Sequence, residues 1–88
     1  MNQPYEIILE SRSEKDLDKV PKEFYQKIDK AILTLSRNPR PFGVKKLEEN
    51  IYRIRVNDWR ILFALSDKDR HVVILRVARR NEKTYKEY

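Results

Sequence analysis

Two runs of alternating apolar and polar residues, separated by a pair of turn-forming residues, stand out in the second half of the chain. The first run covers residues 52–56, the second covers 59–65, and Asn57 and Asp58 lie between them. Alternating runs on either side of a two-residue turn predict a β-hairpin. The predicted register has four cross-strand pairs: Val56 with Trp59, Arg55 with Arg60, Ile54 with Ile61, and Tyr52 with Phe63.

The predicted hairpin separates an apolar side from a charged side. The apolar side is expected to face the core. It carries Tyr52, Ile54, Val56, Trp59, Ile61, Phe63 and Leu65. The opposite side carries Arg53, Arg55 and Arg60. Like charges directly across a sheet are destabilising, and neither run contains a carboxylate. The arginines therefore indicate an anion-binding surface.

The rest of the chain predicts one α+β domain over residues 1–88. A short strand is expected at 5–10, and Ser13 to Asp16 resembles a capping box that starts a helix. Pro21 opens a second helix, whose apolar positions Phe24, Ile28, Ala31, Ile32 and Leu35 have helical spacing. The expected fold is a small antiparallel sheet of about four strands, with two N-terminal helices on one face and a short C-terminal helix.

The apolar run 72–77 predicts a central strand and enlarges the charged side of the sheet. A regular strand that points Val73, Leu75 and Val77 into the core points Arg76 away from it. Arg80 shares the parity of Arg76. Five arginines on one side favour phosphate binding over five independently solvated side chains.

Composition narrows the functional classes. The chain has no cysteine and one histidine, so neither a thiolate nor a multi-histidine metal site is available, and no metal or cofactor is expected. No apolar run is long enough for a membrane span, and the chain is expected to be soluble and cytoplasmic without membrane contact.

Residues 1–36 hold six Lys/Arg and seven Asp/Glu, whereas residues 37–88 hold fourteen Lys/Arg and seven Asp/Glu. This asymmetry indicates a polyanionic partner, most often nucleic acid; the alternative is a basic surface that only aids solubility.

The motifs of the second half resemble the RelE/ParE superfamily of type II toxins. The resemblance begins at Lys46-Leu47 and runs through the hairpin with its Asp58-Trp59-Arg60 segment. It continues from Val73 to Arg80 and ends at Tyr85. It covers nearly the whole chain, because length and element order also fit.

The RelE branch implies a ribosome-dependent endoribonuclease that cleaves mRNA without a metal. The 2′-hydroxyl attacks the adjacent phosphate, so the 2′-oxygen must be activated, the phosphorane stabilised and the leaving oxygen protonated. The resemblance implies these catalytic residues: Arg55 near the attacking oxygen, Arg60 at the scissile phosphate, Arg80 near the leaving group and Tyr85 stacking on a base or transferring a proton. The residues expected to bind RNA are Lys45, Lys46, Arg53, Arg76 and Arg79.

The chain departs from the superfamily that it resembles at the groups that move protons. Arginine stays protonated and is a poor general base. Other members use a glutamate before the hairpin and a histidine near the C-terminus, where this chain has Lys45 and Arg79. Tyr88 is a rival to Tyr85. The general base therefore stays open.

The resemblance leaves one alternative function and implies specific partners. The ParE branch shares the fold and inhibits DNA gyrase by protein contact, without nuclease activity. Both branches imply a cognate antitoxin and a toxin–antitoxin hetero-oligomer. The RelE branch adds the ribosome and mRNA.

Overall fold

The computed structural model describes residues 3–79, which form five strands and two helices. The strands are β1 (Glu6–Leu9), β2 (Lys45–Glu48), β3 (Ile51–Val56), β4 (Trp59–Ser66) and β5 (His71–Arg79), and the helices are α1 (Ser11–Asp18) and α2 (Lys22–Arg37). The described part of the chain is therefore α+β, as the sequence predicts. The predicted C-terminal helix lies outside the described residues.

The five strands form one sheet in the order β1-β5-β4-β3-β2. β2, β3, β4 and β5 pair as antiparallel neighbours, whereas β1 adds to the other edge parallel to β5. The sequence predicts about four strands. The additional strand is β2, a four-residue edge strand with three charged residues that carries no clear apolar alternation.

The β3–β4 hairpin has the register that its turn predicts. Val56 lies opposite Trp59, Arg55 opposite Arg60, Ile54 opposite Ile61, and Tyr52 opposite Phe63. Asn57 occupies the turn with a φ of 56°, a left-handed conformation that asparagine tolerates better than most residues. All four predicted pairs are confirmed.

Helix α2 covers the apolar face of the sheet. Ile28, Ile32 and Leu35 are fully or almost fully buried and belong to the same core as the apolar residues of the hairpin. Phe24 contacts Trp59, with 6.3 Å between the ring centroids. The helical spacing of the apolar positions thus predicts this interface correctly. None of the helices in the described range is long and apolar enough to cross a membrane.

The start of α1 differs from the sequence prediction. The helix begins at Ser11, so Ser13 lies inside its first turn and is fully buried. Its hydroxyl donates a hydrogen bond to the Glu10 carbonyl at 2.7 Å and does not cap the helix. The predicted capping box is therefore wrong, because the Ser13 hydroxyl bonds backward to a carbonyl rather than forward to an amide.

Strand β5 contains a bulge that changes which of its residues face the core. Leu62 lies opposite Arg76 and Phe63 opposite Ile74, so Leu75 is an extra residue. Val72 and Ile74 are fully buried in the core, whereas Val73 and Leu75 are only half-buried and outside it. The predicted alternation of Val73, Leu75 and Val77 is wrong for the first two, because a bulge shifts strand parity by one residue.

Candidate nucleic-acid interface

Five basic side chains project from the face of the sheet opposite α2, and four of them, all except Arg76, lie on β2, β3 and β4. Lys45 lies opposite Arg53, and Arg55 lies opposite Arg60. Directly opposed residues project from the same face, and Arg53 and Arg55 are two positions apart on one strand. We call this set the basic face: Lys45, Arg53, Arg55 and Arg60.

The basic face combines buried and exposed cations. Arg60 is 9% exposed, whereas Arg55 is exposed directly across the strand from it. Leu62 and Ala78 project from the same face and are fully or almost fully buried. Two guanidinium groups of different exposure are thus held on an apolar section of sheet, where charge interactions are stronger than in bulk water.

A small pocket lies at the turn end of the basic face. Its volume is about 50 Å³, and its walls include Arg55, Arg60, Asn57 and Asp58. Each guanidinium carries fixed donors that match phosphate oxygens. The two arginines of the pocket wall offer such donors, next to one carboxylate, that of Asp58.

Arg76 has a different environment from the one the sequence suggests. Its Nε and terminal nitrogen donate to the Asp16 carboxylate of α1 at 2.8 and 3.1 Å, and both side chains are 15% exposed. The same carboxylate accepts the Val77 N–H at 2.9 Å. The pairing of β1 with β5 ends at Leu9 and Ile74. Beyond that point the Asp16 carboxylate accepts a backbone hydrogen bond from β5 that a longer β1 would have accepted. This geometry assigns Arg76 a structural ion pair.

Two other sequence-predicted residues lie on the helix side of the sheet. Lys46 is opposite Tyr52, and Arg79 is opposite Trp59. The Arg79 guanidinium lies 5.2 Å from the centroid of the Trp59 ring, within cation–π range. The structure therefore does not bring Lys46 and Arg79 onto the basic face. Arg80, Tyr85 and Tyr88 lie outside the described residues.

A polar cluster that the sequence analysis did not find fixes the loop between α2 and β2. Arg40 donates to both carboxylate oxygens of Asp67, at 3.1 and 2.8 Å, and Tyr5 donates its hydroxyl to the same group at 2.6 Å. The Arg40 guanidinium also lies 5.3 Å from the centroid of the Tyr52 ring. No short-range motif marks this cluster, because its members are far apart in sequence.

The hydrogen bonds of this cluster shift three pKa values. Those from Arg40 and then Tyr5 lower the pKa of Asp67 to about 2. The hydrogen bond to Asp67 raises the pKa of the Tyr5 hydroxyl and is also the main cause that raises the pKa of Arg40. All three shifts favour an ionised Asp67, a charged Arg40 and a neutral Tyr5 at physiological pH.

The described residues contain no cluster of three or more histidine, cysteine or acidic side chains that could hold a metal ion. The chemistry available on the basic face of residues 3–79 is therefore that of guanidinium and ammonium groups. These groups bind and stabilise negative charge, and arginine does not release its proton in proteins.

Comparison with known proteins identifies a family over most of the chain. Residues 7–84 match the family model described as ParE toxin of type II toxin-antitoxin system, parDE. A curated protein of Methanocaldococcus jannaschii named "Putative toxin RelE1" is 31% identical over an alignment 87 residues long, which covers 93% of this chain and 96% of that protein.

Solved structures match the same fold. The RelE-RelB complex from Pyrococcus horikoshii has 28% identity and a TM-score of 0.81, covering 90% of this chain and 98% of that one. The RelBE2 toxin-antitoxin complex from Mycobacterium tuberculosis has 28% identity and a TM-score of 0.76, covering 88% and 99%. A mutant of E. coli toxin RelE in the free state shares the fold at 16% identity and a TM-score of 0.81, covering 96% and 92%.

Proposed function

The chain belongs to the ParE toxin family of type II toxin–antitoxin systems, within the RelE/ParE superfamily, and on this premise we propose that it is a ribosome-dependent endoribonuclease that cleaves mRNA. The observation that carries the proposal is the cross-strand pair of Arg55 and Arg60, which line one small pocket together. Two guanidinium groups fixed across one pair of strands offer charged donors to the phosphates of an RNA backbone.

The proposed reaction is an internal transesterification of RNA. The 2′-oxygen attacks the adjacent phosphorus and loses its proton, and the bond from phosphorus to the 5′-oxygen breaks. The products are a 2′,3′-cyclic phosphate and a free 5′-hydroxyl, whose oxygen takes up a proton. No metal or cofactor enters these steps.

The basic face supplies charge stabilisation for this reaction. Arg60 is 9% exposed, and we assign it to the scissile phosphate; Arg55 is exposed, and we assign it to the attacking oxygen. Arg53 and Lys45 extend the positive surface along the RNA backbone. Prearranged cations in a partly desolvated site can stabilise a phosphorane without reorganising during the reaction.

Proton transfer has no comparable support on the basic face. Guanidinium groups orient the 2′-hydroxyl and stabilise the developing oxyanion, but they do not act as bases near neutral pH. We therefore propose a slow nuclease whose rate depends on how the arginines orient the RNA. We also propose that Arg80 acts near the leaving group and that Tyr85 stacks on a nucleobase or transfers a proton. The resemblance of the motif supports these two roles.

The partner proposal rests on the relatives. Structures of the P. horikoshii and M. tuberculosis proteins are complexes of RelE-type toxins with antitoxins. We propose that this chain also forms a hetero-oligomer with a cognate antitoxin, and that an acidic antitoxin segment covers the basic face. Charge-assisted hydrogen bonds to the arginines would then exclude mRNA.

Cleavage on programmed ribosomes tests the proposed reaction directly. The purified chain, added to ribosomes that hold a defined mRNA, should produce cuts in the A-site codon with cyclic-phosphate ends. The same mRNA without ribosomes should survive far longer. The family model names ParE, so DNA gyrase supercoiling is measured in parallel. Inhibited supercoiling with intact mRNA would replace the nuclease with a gyrase inhibitor.

A further inference from the structure

Phe42 is the most exposed of the large apolar side chains in the described range. Its exposed fraction is 107%, compared with 58% for Leu33 and 42% for Tyr25. A single exposed apolar residue is common on protein surfaces and does not by itself mark a site. Three features around Phe42 indicate more than chance exposure: the turn that holds it, the contacts that fix its loop and the groove beside it.

A tight turn holds Phe42 at the tip of the loop between α2 and β2. The Pro41 carbonyl accepts the Val44 N–H at 3.0 Å, which closes a four-residue turn with Phe42 at its second position. Gly43 has a φ of 89°, the conformation that type II turns require at the third position. The ring is therefore presented by a defined turn.

The base of the same loop is tied to the body of the protein. Arg40 precedes Phe42 by two residues and makes the two-pronged ion pair with Asp67 in the turn after β4. Its guanidinium also lies over the ring of Tyr52 in β3. These contacts reduce the conformational entropy that Phe42 would lose when a ligand binds.

Phe42 and Arg55 line one groove. The groove has a volume of about 390 Å³, within the range of small-ligand sites, and Ile54, Val56 and Ala31 form much of its remaining wall. Arg55 is the charged residue among the groove's lining residues, and no carboxylate accompanies it. The other wall residues lie on α2, on the α2–β2 loop and on the helix-facing positions of β3, so Arg55 lines the groove at the edge where β3 extends beyond its pairing with β2. An anionic chain bound at Arg55 would run along this edge beside Phe42.

We propose that Phe42 is a stacking platform for a nucleobase of single-stranded RNA whose neighbouring phosphate is bound by Arg55. The inference rests on the proposed nuclease function and adds a residue that contacts substrate. Sites for single-stranded nucleic acids combine a positive groove with aromatic rings, because every base offers a flat face for stacking. Such a contact holds the strand and tolerates many sequences, with purines favoured by their larger rings.

Binding of a short RNA tests this assignment. The probe is a single-stranded RNA of about ten nucleotides, in the range of single-stranded binding sites, with one fluorescent 2-aminopurine. Phe42→Ala and Phe42→Leu should each weaken binding about tenfold or more and restore the probe's fluorescence, since stacking contributes about one to two orders of magnitude per base. Phe42→Trp should bind at least as tightly as the unmodified chain.

Two controls separate stacking from other effects. Tyr25→Ala removes an exposed aromatic from the outer side of α2 and should leave RNA binding unchanged. Thermal melts should show Phe42→Ala folded as the unmodified chain, because the ring is fully exposed. Cleavage on programmed ribosomes should fall together with binding.

Each contrary outcome has a distinct meaning. If Phe42→Leu binds RNA as the unmodified chain does, the ring is not needed and the stacking assignment is overturned. If Phe42→Ala keeps RNA binding but releases the antitoxin from the co-purified complex, Phe42 belongs to a protein interface. If the unmodified chain and Arg55→Gln bind RNA equally poorly and ribosomes are not cut, the proposed nuclease function fails, and this inference fails with it.

Discussion

At the scale of single residues, Arg55 and Arg60 differ in exposure although they face each other. Arg55 is exposed, so its replacement removes charge with little loss of packing, whereas Arg60 is 9% exposed and its aliphatic part contributes to the fold. The sequence alone predicts equivalent roles for the two in stability. The structure makes Arg55 the cleaner probe of function.

Replacement of Arg55 should therefore separate activity from stability. Arg55→Gln should lower single-turnover cleavage on ribosomes about 100-fold, the usual cost of one group that stabilises transition-state charge. Its free energy of unfolding should be unchanged or higher by up to about 1 kcal/mol, because cross-strand repulsion is relieved. Arg37→Gln, at an exposed position in the last turn of α2, is the matched control and should cleave normally. A large loss of stability in Arg55→Gln would show that the residue is structural.

At the scale of secondary-structure elements, the ion pair of Asp16 and Arg76 holds α1 to β5. Asp16→Asn should lower the free energy of unfolding by about 2–3 kcal/mol, since a partly buried guanidinium would lose its carboxylate. The melting temperature should fall by about 10–20 °C for a domain of this size. Asp18→Asn, an exposed carboxylate of the same helix, should change the free energy by less than about 0.5 kcal/mol. An unchanged melting temperature for Asp16→Asn would contradict a structural role.

The elements also show what sequence patterns can and cannot predict. The hairpin was predictable to the residue, because its turn and alternation are local. The inward positions of β5 were not, because its run is apolar on both faces and no residue type marks the bulge at Leu75. The Asp16–Arg76 pair joins residues 60 positions apart, and only the folded chain brings them together. The separation of Lys46 and Arg79 from the basic face, in contrast, follows from strand alternation, because Lys46 is adjacent to Lys45 and Arg79 shares the parity of Val77.

At the scale of the whole molecule, the cluster around Asp67 links the first strand, the α2–β2 loop and the turn after β4. Hydrogen bonds from Arg40 and Tyr5 lower the pKa of Asp67 to about 2, from 3.8 for an ordinary aspartate, so the ionised carboxylate stabilises the fold above pH 3.8. That contribution is lost as the pH falls through 2. Asp67→Asn should therefore be less stable than the unmodified chain at pH 7, and the difference should shrink between pH 4 and pH 2.

Urea unfolding midpoints at pH 7, 4 and 2 measure this dependence. Arg40→Gln should reproduce the effect of Asp67→Asn, because Arg40 is the larger cause of the shift. Tyr5→Phe removes only the second hydrogen bond and should keep most of the pH dependence. Parallel pH profiles for Asp67→Asn and the unmodified chain would mean that the ion pair does not contribute to the fold in solution.

The parallel pairing of β1 with β5 bears on the order in which the sheet assembles. Glu6 lies opposite His71, so this edge closes across 65 positions of sequence, whereas β3, β4 and β5 follow one another through short turns. Closing a long loop costs more chain entropy than closing a short one, and non-local pairs form slowly. During synthesis, β1 has no partner strand until β5 has been made. The strands that carry the arginines can thus pair before the edge beside α1 closes, which makes that edge a late step of folding.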